Sequence, residues 1–121
     1  MLTRKLYSIK KIQGGDGTII REIFHPKNDP QIRTRYSLAH AILPVGQRSK
    51  RHRMKNPEVC YFLNGEAEMH IDDEVEILTK NDAVYIPGGT IFFVKNIGKS
   101  DLEFLCITDP AWSEKEEEIL E

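Results

Sequence analysis

An all-β sandwich or barrel is the fold class this sequence predicts, on three observations. Short runs of β-branched, aromatic and aliphatic residues recur through the 121 residues. Their spacing, about 8–12 residues, is that of two-sheet proteins rather than of alternating β and α units. Turn residues fall between them, as Asn64-Gly65, Asp72-Asp73, Lys80-Asn81-Asp82 and Pro87-Gly88-Gly89.

Taken in order, residues 18–24 (TIIREIF), 36–43 (YSLAHAIL), 59–63 (VCYFL) and 67–71 (AEMHI) predict the first four strands. Residues 75–78, 83–86 (AVYI), 91–95 (IFFVK) and 102–108 (LEFLCIT) predict four more. Val75 and Ile77 alternate with acidic residues, the pattern of a half-buried strand. Asn64-Gly65 predicts a hairpin, because both residues tolerate positive φ. Gly14-Gly15-Asp16-Gly17 is followed by no phosphate-binding pattern and is expected to be a turn. Only the end looks helical. Ser113 and Glu116 have capping-box spacing, which predicts one short C-terminal helix carrying Trp112, Ile119 and Leu120 onto the barrel.

Composition bounds the function. With 40% hydrophobic and 30% charged residues the chain is an ordinary globular domain, read as one domain over residues 1–121. Its net charge of −2 gives the whole chain no affinity for nucleic acid or acidic membranes. Cys60 and Cys106 each lie in an apolar run and are expected to be buried free thiols of an intracellular protein. No apolar run approaches the ~20 residues of a membrane span, and the first residues lack an apolar signal core. The cytoplasm is the expected location.

The functional signal lies between Gly46 and Gly65. Gly46, His52, Met54, Glu58 and Gly65 are separated by five, one, three and six residues. This resembles the first cupin motif, G-x5-H-x-H-x3-E-x6-G, with every spacing kept and one histidine replaced by Met54. Further on, Pro87, Gly89, Phe92 and Asn96 resemble the second motif, P-x-G-x2-H-x3-N, with Phe92 in place of histidine. Asn81 stands where that motif usually opens with glycine. The resemblance covers residues 36–108. Residues 37–47 (SLAHAILPVGQ) and 17–26 (GTIIREIFHP) are also similar to small single-domain cupins loosely called sugar-phosphate-isomerase-like.

The resemblance implies a cupin-type β-barrel, a jelly roll of two packed antiparallel sheets, commonly a homodimer. It also implies a divalent ion held by three histidines and one glutamate. Alternate residues of a strand share a face, so an H-x-H pair directs both imidazoles inward. Imidazole and carboxylate suit Mn, Fe, Ni, Cu or Zn, and spacing does not choose among them. Carried over by position, the ligands here reduce to His52 and Glu58. Met54 is a soft, weak ligand and Phe92 is none, so the site is degenerate, with either a divalent metal or no cofactor. His40, on the strand before the motif, is the candidate replacement; both faces of its strand are apolar, so its direction stays open. His25 and His70 are further candidates.

Arg48, Lys50, Arg51, Arg53 and Lys55 crowd the entry to the motif. Alternation turns Arg51 and Arg53 away from His52, leaving Arg48 and Lys50, with Arg35 at the entry to a strand as a further candidate, to meet a small anion at the barrel rim. Met54, Cys60, Phe62, Phe92 and Val94 share the inward phase and predict an apolar pocket with a few polar groups, the usual form of a small-molecule site. The first reading is therefore a binder of a small polar or anionic metabolite, a sugar derivative or carboxylate, using Arg48, Met54, Cys60, Phe62 and Phe92. The second is a metal-dependent isomerase or dioxygenase using His52, Glu58 and a recruited histidine, with Glu58 also the candidate general base. The third is a non-catalytic interaction module.

Overall fold

Strand alternation resolves into two layers in the computed structural model, which describes all 121 residues. The strands are β1 (Ile12–Gln13), β2 (Ile19–Phe24), β3 (Ser37–Leu43), β4 (His52–Met54), β5 (Glu58–Asn64) and β6 (Glu66–Ile71). They continue as β7 (Glu74–Thr79), β8 (Ala83–Ile86), β9 (Ile91–Asn96), β10 (Leu102–Thr108) and β11 (Glu117–Ile119). One sheet has the order β1-β2-β3-β10-β5-β8 and the other β11-β4-β9-β6-β7, with every pairing antiparallel. This is the two-sheet jelly roll that the sequence predicts. No helix is long and apolar enough to cross a membrane.

The core lies between the layers because one face of each strand carries the large apolar side chains. Along β5, Glu58, Cys60 and Phe62 are buried while Val59 and Tyr61 are exposed. Phe92, Val94 and Asn96 of β9 and Leu102, Phe104 and Thr108 of β10 repeat the alternation. Phe62, Leu43 and Leu102 are wholly enclosed. Removing such a side chain to alanine costs on the order of 2–5 kcal/mol, so this layer dominates stability.

Three features depart from expectation. All eight expected runs are strands, but β1, β4 and β11 are too short for periodicity to reveal and exist through their partners. Asn64-Gly65 does not close a hairpin: β5 and β6 belong to different sheets, so the turn is a corner between layers. Gly65 has φ +94°, and a Cβ there would lie 3.0 Å from Asp101 O and Leu102 Cα. The expected C-terminal helix is reduced to a 3-10 turn, Glu114–Glu116, before β11. β11 pairs with β4, whose edge would otherwise be open, and this outweighs the marginal stability of so short a helix.

Asn96 of the second motif and Gly88 beside it serve the fold rather than the cavity. The buried Asn96 donates through Nδ2 to Leu43 O and Ser100 O, both at 2.9 Å, and accepts from Gly98 N–H at 2.9 Å. Gly88 passes so close to β4 that a Cβ would lie 2.4 Å from Lys55 O.

Candidate functional site

A cavity of about 120 Å³ lies between the sheets. The motif strands wall it with Met54, Cys60, Phe62 and Phe92. Small residues of β3, Ser37, Ala39 and Ala41, line it with no large side chain. Two connections outside the motifs complete it. The Gly14–Gly17 turn brings Asp16, which accepts from Thr18 N–H at 3.0 Å and Thr18 Oγ1 at 2.7 Å. β11 brings Glu117, which accepts from Trp112 Nε1 at 2.7 Å and fixes the indole in the cavity wall.

Glu58 opens β5 inside this space. Burial is the main reason its carboxyl is pushed up to about 7, with the Asp16 and Glu117 carboxylates pushing the same way. The Thr108 hydroxyl, donating to Glu58 Oε1 at 3.2 Å, opposes the shift without cancelling it. At neutral pH Glu58 is thus poised between acid and base.

His52 faces the same cavity. Its Nδ1 donates to Lys50 O at 2.7 Å, leaving Nε2 3.7 Å from Asp16 Oδ2. Phe92, its cross-strand partner, sets its ring 4.1 Å from the imidazole. The ring therefore occupies the ground on which a third histidine would stand in the family's metal centre. Met54 replaces the second, and no group of three or more His, Cys, Asp or Glu is placed to hold an ion. These residues do not fit a three-histidine, one-glutamate site.

The recruited-histidine expectation is corrected by β3. His40 is 2% exposed yet lies on the opposite face from Ala39 and Ala41, outside the cavity lining. Its Nε2 is 4.0 Å from Glu103 Oε1, and burial lowers its pKa. Neither of the other two supplies a cavity ligand. His25 Nε2 donates to Trp112 O at 2.8 Å while Nδ1 accepts from Lys27 N–H at 3.1 Å. His70 stacks on Phe93 and bonds Glu68.

The anion expectation for Arg48 is corrected as well. Arg48 is absent from the lining and is gripped by Glu121, with NH1 at 2.9 Å from Oε2 and NH2 at 2.6 Å from Oε1. Glu121 also accepts from Arg51 N–H at 2.6 Å. No lysine or arginine lines the cavity, whereas four carboxylates do: Asp16, Glu22, Glu58 and Glu117. Met54, Cys60, Phe62 and Phe92 line it as the strand phase predicts. Asp16, Glu22, Thr108 and Glu117 were not legible as site residues. A glycine turn, a register position in β2, the last residue of β10 and an acidic tail carry no chemical signature.

With this geometry in view, the comparisons with known proteins agree. A family model described as cupin domain matches residues 39–108. An uncharacterised protein of Methanocaldococcus jannaschii is 37% identical over 127 residues, spanning the whole of both chains. A mannose-1-phosphate guanylyltransferase of Salmonella montevideo is 31% identical over 96 residues, covering 76% of this chain but 20% of that enzyme. The solved structure of an RmlC-like cupin from Shewanella frigidimarina superposes with a TM-score of 0.77 at 13% identity, covering 93% of this chain and 94% of the other. On the family match and the full-length relative, the chain belongs to the cupin family.

Proposed function

We propose that the cavity binds a small, uncharged, hydroxyl-bearing molecule of the sugar or polyol class. The observation that carries this is the lining: four carboxylates and an imidazole, with no lysine or arginine. Carboxylates accept hydrogen bonds from hydroxyl groups, and the Trp112 indole and Phe92 ring offer apolar faces to ring carbons. An anion would meet carboxyl groups with no lysine or arginine among them, a like-charge arrangement that opposes binding. Of the two ligand classes the sequence suggests, the sugar derivative is retained and the carboxylate set aside. A cavity of about 120 Å³ encloses one ring or its equivalent, since a 150 Å³ cavity in another protein takes benzene.

Thermal-shift and calorimetric titration with neutral pentoses, hexoses and polyols, set against sugar phosphates and keto acids, tests this. Binding should raise the melting temperature for neutral compounds only and weaken in Asp16→Asn and Glu117→Gln. Preference for phosphorylated or carboxylate ligands refutes it. A second reading rests on Glu58, whose near-neutral carboxyl in an apolar wall suits proton transfer next to a sugar carbonyl. Glu58-dependent deuterium uptake from D₂O into a bound ketose would support that reading, and the absence of uptake would leave a binder.

The proposal includes a homodimer. Tyr85, Val59 and Ile107 are exposed and face one another across β8, β5 and β10, and Leu38 extends the row onto β3. This apolar row on the outer sheet face suits a second copy of the chain. Light scattering should give twice the monomer mass of 14.0 kDa, and Val59→Lys should lower it. The two free thiols favour a reducing compartment, the cytoplasm.

A further inference from the structure

Apart from Met1, every sulfur atom of this chain lines one cavity: Met54, Cys60, Met69 and Cys106. The two thiols lie directly across from one another on β5 and β10, with Sγ–Sγ 3.6 Å. From this geometry we propose that Cys60 and Cys106 form a binding site for a soft monovalent d¹⁰ cation, Cu(I), completed by a cavity thioether. The site shares the cavity with the degenerate His52–Glu58 position but takes its two thiolates from β5 and β10, which the sugar reading does not need.

Three considerations select this ion class. An ion ~2.3 Å from each sulfur needs its ligands about 3.8 Å apart at a tetrahedral angle and about 4.0 Å at a trigonal one. The observed 3.6 Å is within a few tenths of an ångström of both. Thiolate and thioether donors select Cu(I) over the harder divalent ions. Zinc requires four nitrogen, sulfur or oxygen ligands, and no third His, Cys, Asp or Glu is grouped with the pair. Met54 and Met69 are buried on the facing sheet and line the same cavity, where flexible thioethers can adapt to an ion.

Binding is an exchange of protons for metal. Each thiol loses its proton as one sulfur–metal bond forms, so two protons leave per ion and no electrons move. Without the ion, the hydrogen bond between the sulfurs and then burial push the Cys106 thiol up, so its proton must be displaced by the metal. Affinity should therefore rise steeply with pH.

The test uses reduced protein handled anaerobically and titrated with Cu(I) from a competing chelator complex, with Ag⁺ as a redox-inert stand-in. The expected result is near-ultraviolet thiolate charge-transfer absorption saturating at one ion per chain. It should vanish in Cys60→Ser and Cys106→Ser and persist in His52→Ala. Because a serine variant could fail to fold, stoichiometry on the unaltered chain is an independent arm: no saturable absorption at one equivalent overturns the proposal. Equal Cu(I) uptake by a folded Cys60→Ser/Cys106→Ser double variant overturns it too. So does an outcome in which air converts the pair to a disulfide while the reduced protein takes up no Cu(I).

Discussion

Replacing Glu58 with glutamine should make the unliganded protein more stable, and by an amount that depends on pH in a defined way. Glu58 titrates near its ordinary 4.5 in the unfolded chain and at about 7 when folded. Between those values the native state holds a proton that the unfolded state has released. Stability therefore falls as pH rises through this window and levels off above it. At about 1.4 kcal/mol per pH unit, the penalty on the ionised side chain reaches about 3 kcal/mol above pH 7 and vanishes below pH 4.5. Glutamine carries no charge and can still accept from Thr108 Oγ1, the one hydrogen bond the carboxyl makes here. Denaturant unfolding of both proteins from pH 4.5 to 8.5 isolates the effect, because every other titrating group is common to the pair. The variant should gain about 3 kcal/mol at pH 8, on the order of 10 °C in melting temperature, and nothing near pH 4.5. A stability difference that stays flat with pH would show that Glu58 does not change ionisation in this window, and the poised-carboxyl reasoning would fall.

Other consequences follow from single contacts. Asn96→Ala removes a buried amide serving two carbonyls and one N–H, and should cost about 2–4 kcal/mol in chemical denaturation. Gly88→Ala drives a methyl group against Lys55 O and should destabilise more than Gly17→Ala. At Gly17 nothing lies within 4 Å and only the φ of +96° resists, about 1 kcal/mol. Arg48→Ala should leave sugar binding unchanged in calorimetry, since its guanidinium meets Glu121 outside the cavity. Met54→His combined with Phe92→His should create divalent-metal binding, measured as near-stoichiometric zinc or manganese after dialysis. Both positions already face the cavity beside His52 and Glu58.

The parts of the fold that could be read from the sequence are those set by local rules. Period-two alternation placed Cys60 and Phe62, and Phe92 and Val94, on the inner face, and all four line the cavity. Where alternation was silent, so was the prediction. His40 lies between Ala39 and Ala41 on a strand apolar on both sides, and in the folded chain it is buried on the face away from the cavity. Asn64-Gly65 carried a strong local signal with a misleading meaning. Positive φ at Gly65 is real, but the close approach of Leu102, a tertiary fact, turns the hairpin into a corner. Asp16 and Glu117 reach the cavity from a turn and a three-residue strand, where side-chain direction depends on partners distant in sequence.

The loss of the metal ligands and the acidity of the cavity are two sides of one electrostatic arrangement. In the metal-binding pattern that the motif spacing implies, a divalent cation would compensate the buried glutamate. Here Met54 and Phe92 have removed the means to hold that cation, and the lining supplies no lysine or arginine in its place. A buried carboxylate without a counter-charge neutralises itself instead. The folded-state value of about 7 is that response: the proton takes over the role of the ion. The exchange also changes what the cavity selects. A metal centre recruits anionic substrates through its charge, whereas a protonated acid among carboxylates both donates and accepts hydrogen bonds and attracts no anion. In the proposed complex a protonated Glu58 would donate and the carboxyl oxygens of Asp16, Glu22 and Glu117 would accept, the pattern that a hydroxylated ring needs. On the proposed reading, Met54 and Phe92 thus set both the loss of a metal-binding pattern and the class of ligand the cavity would accept.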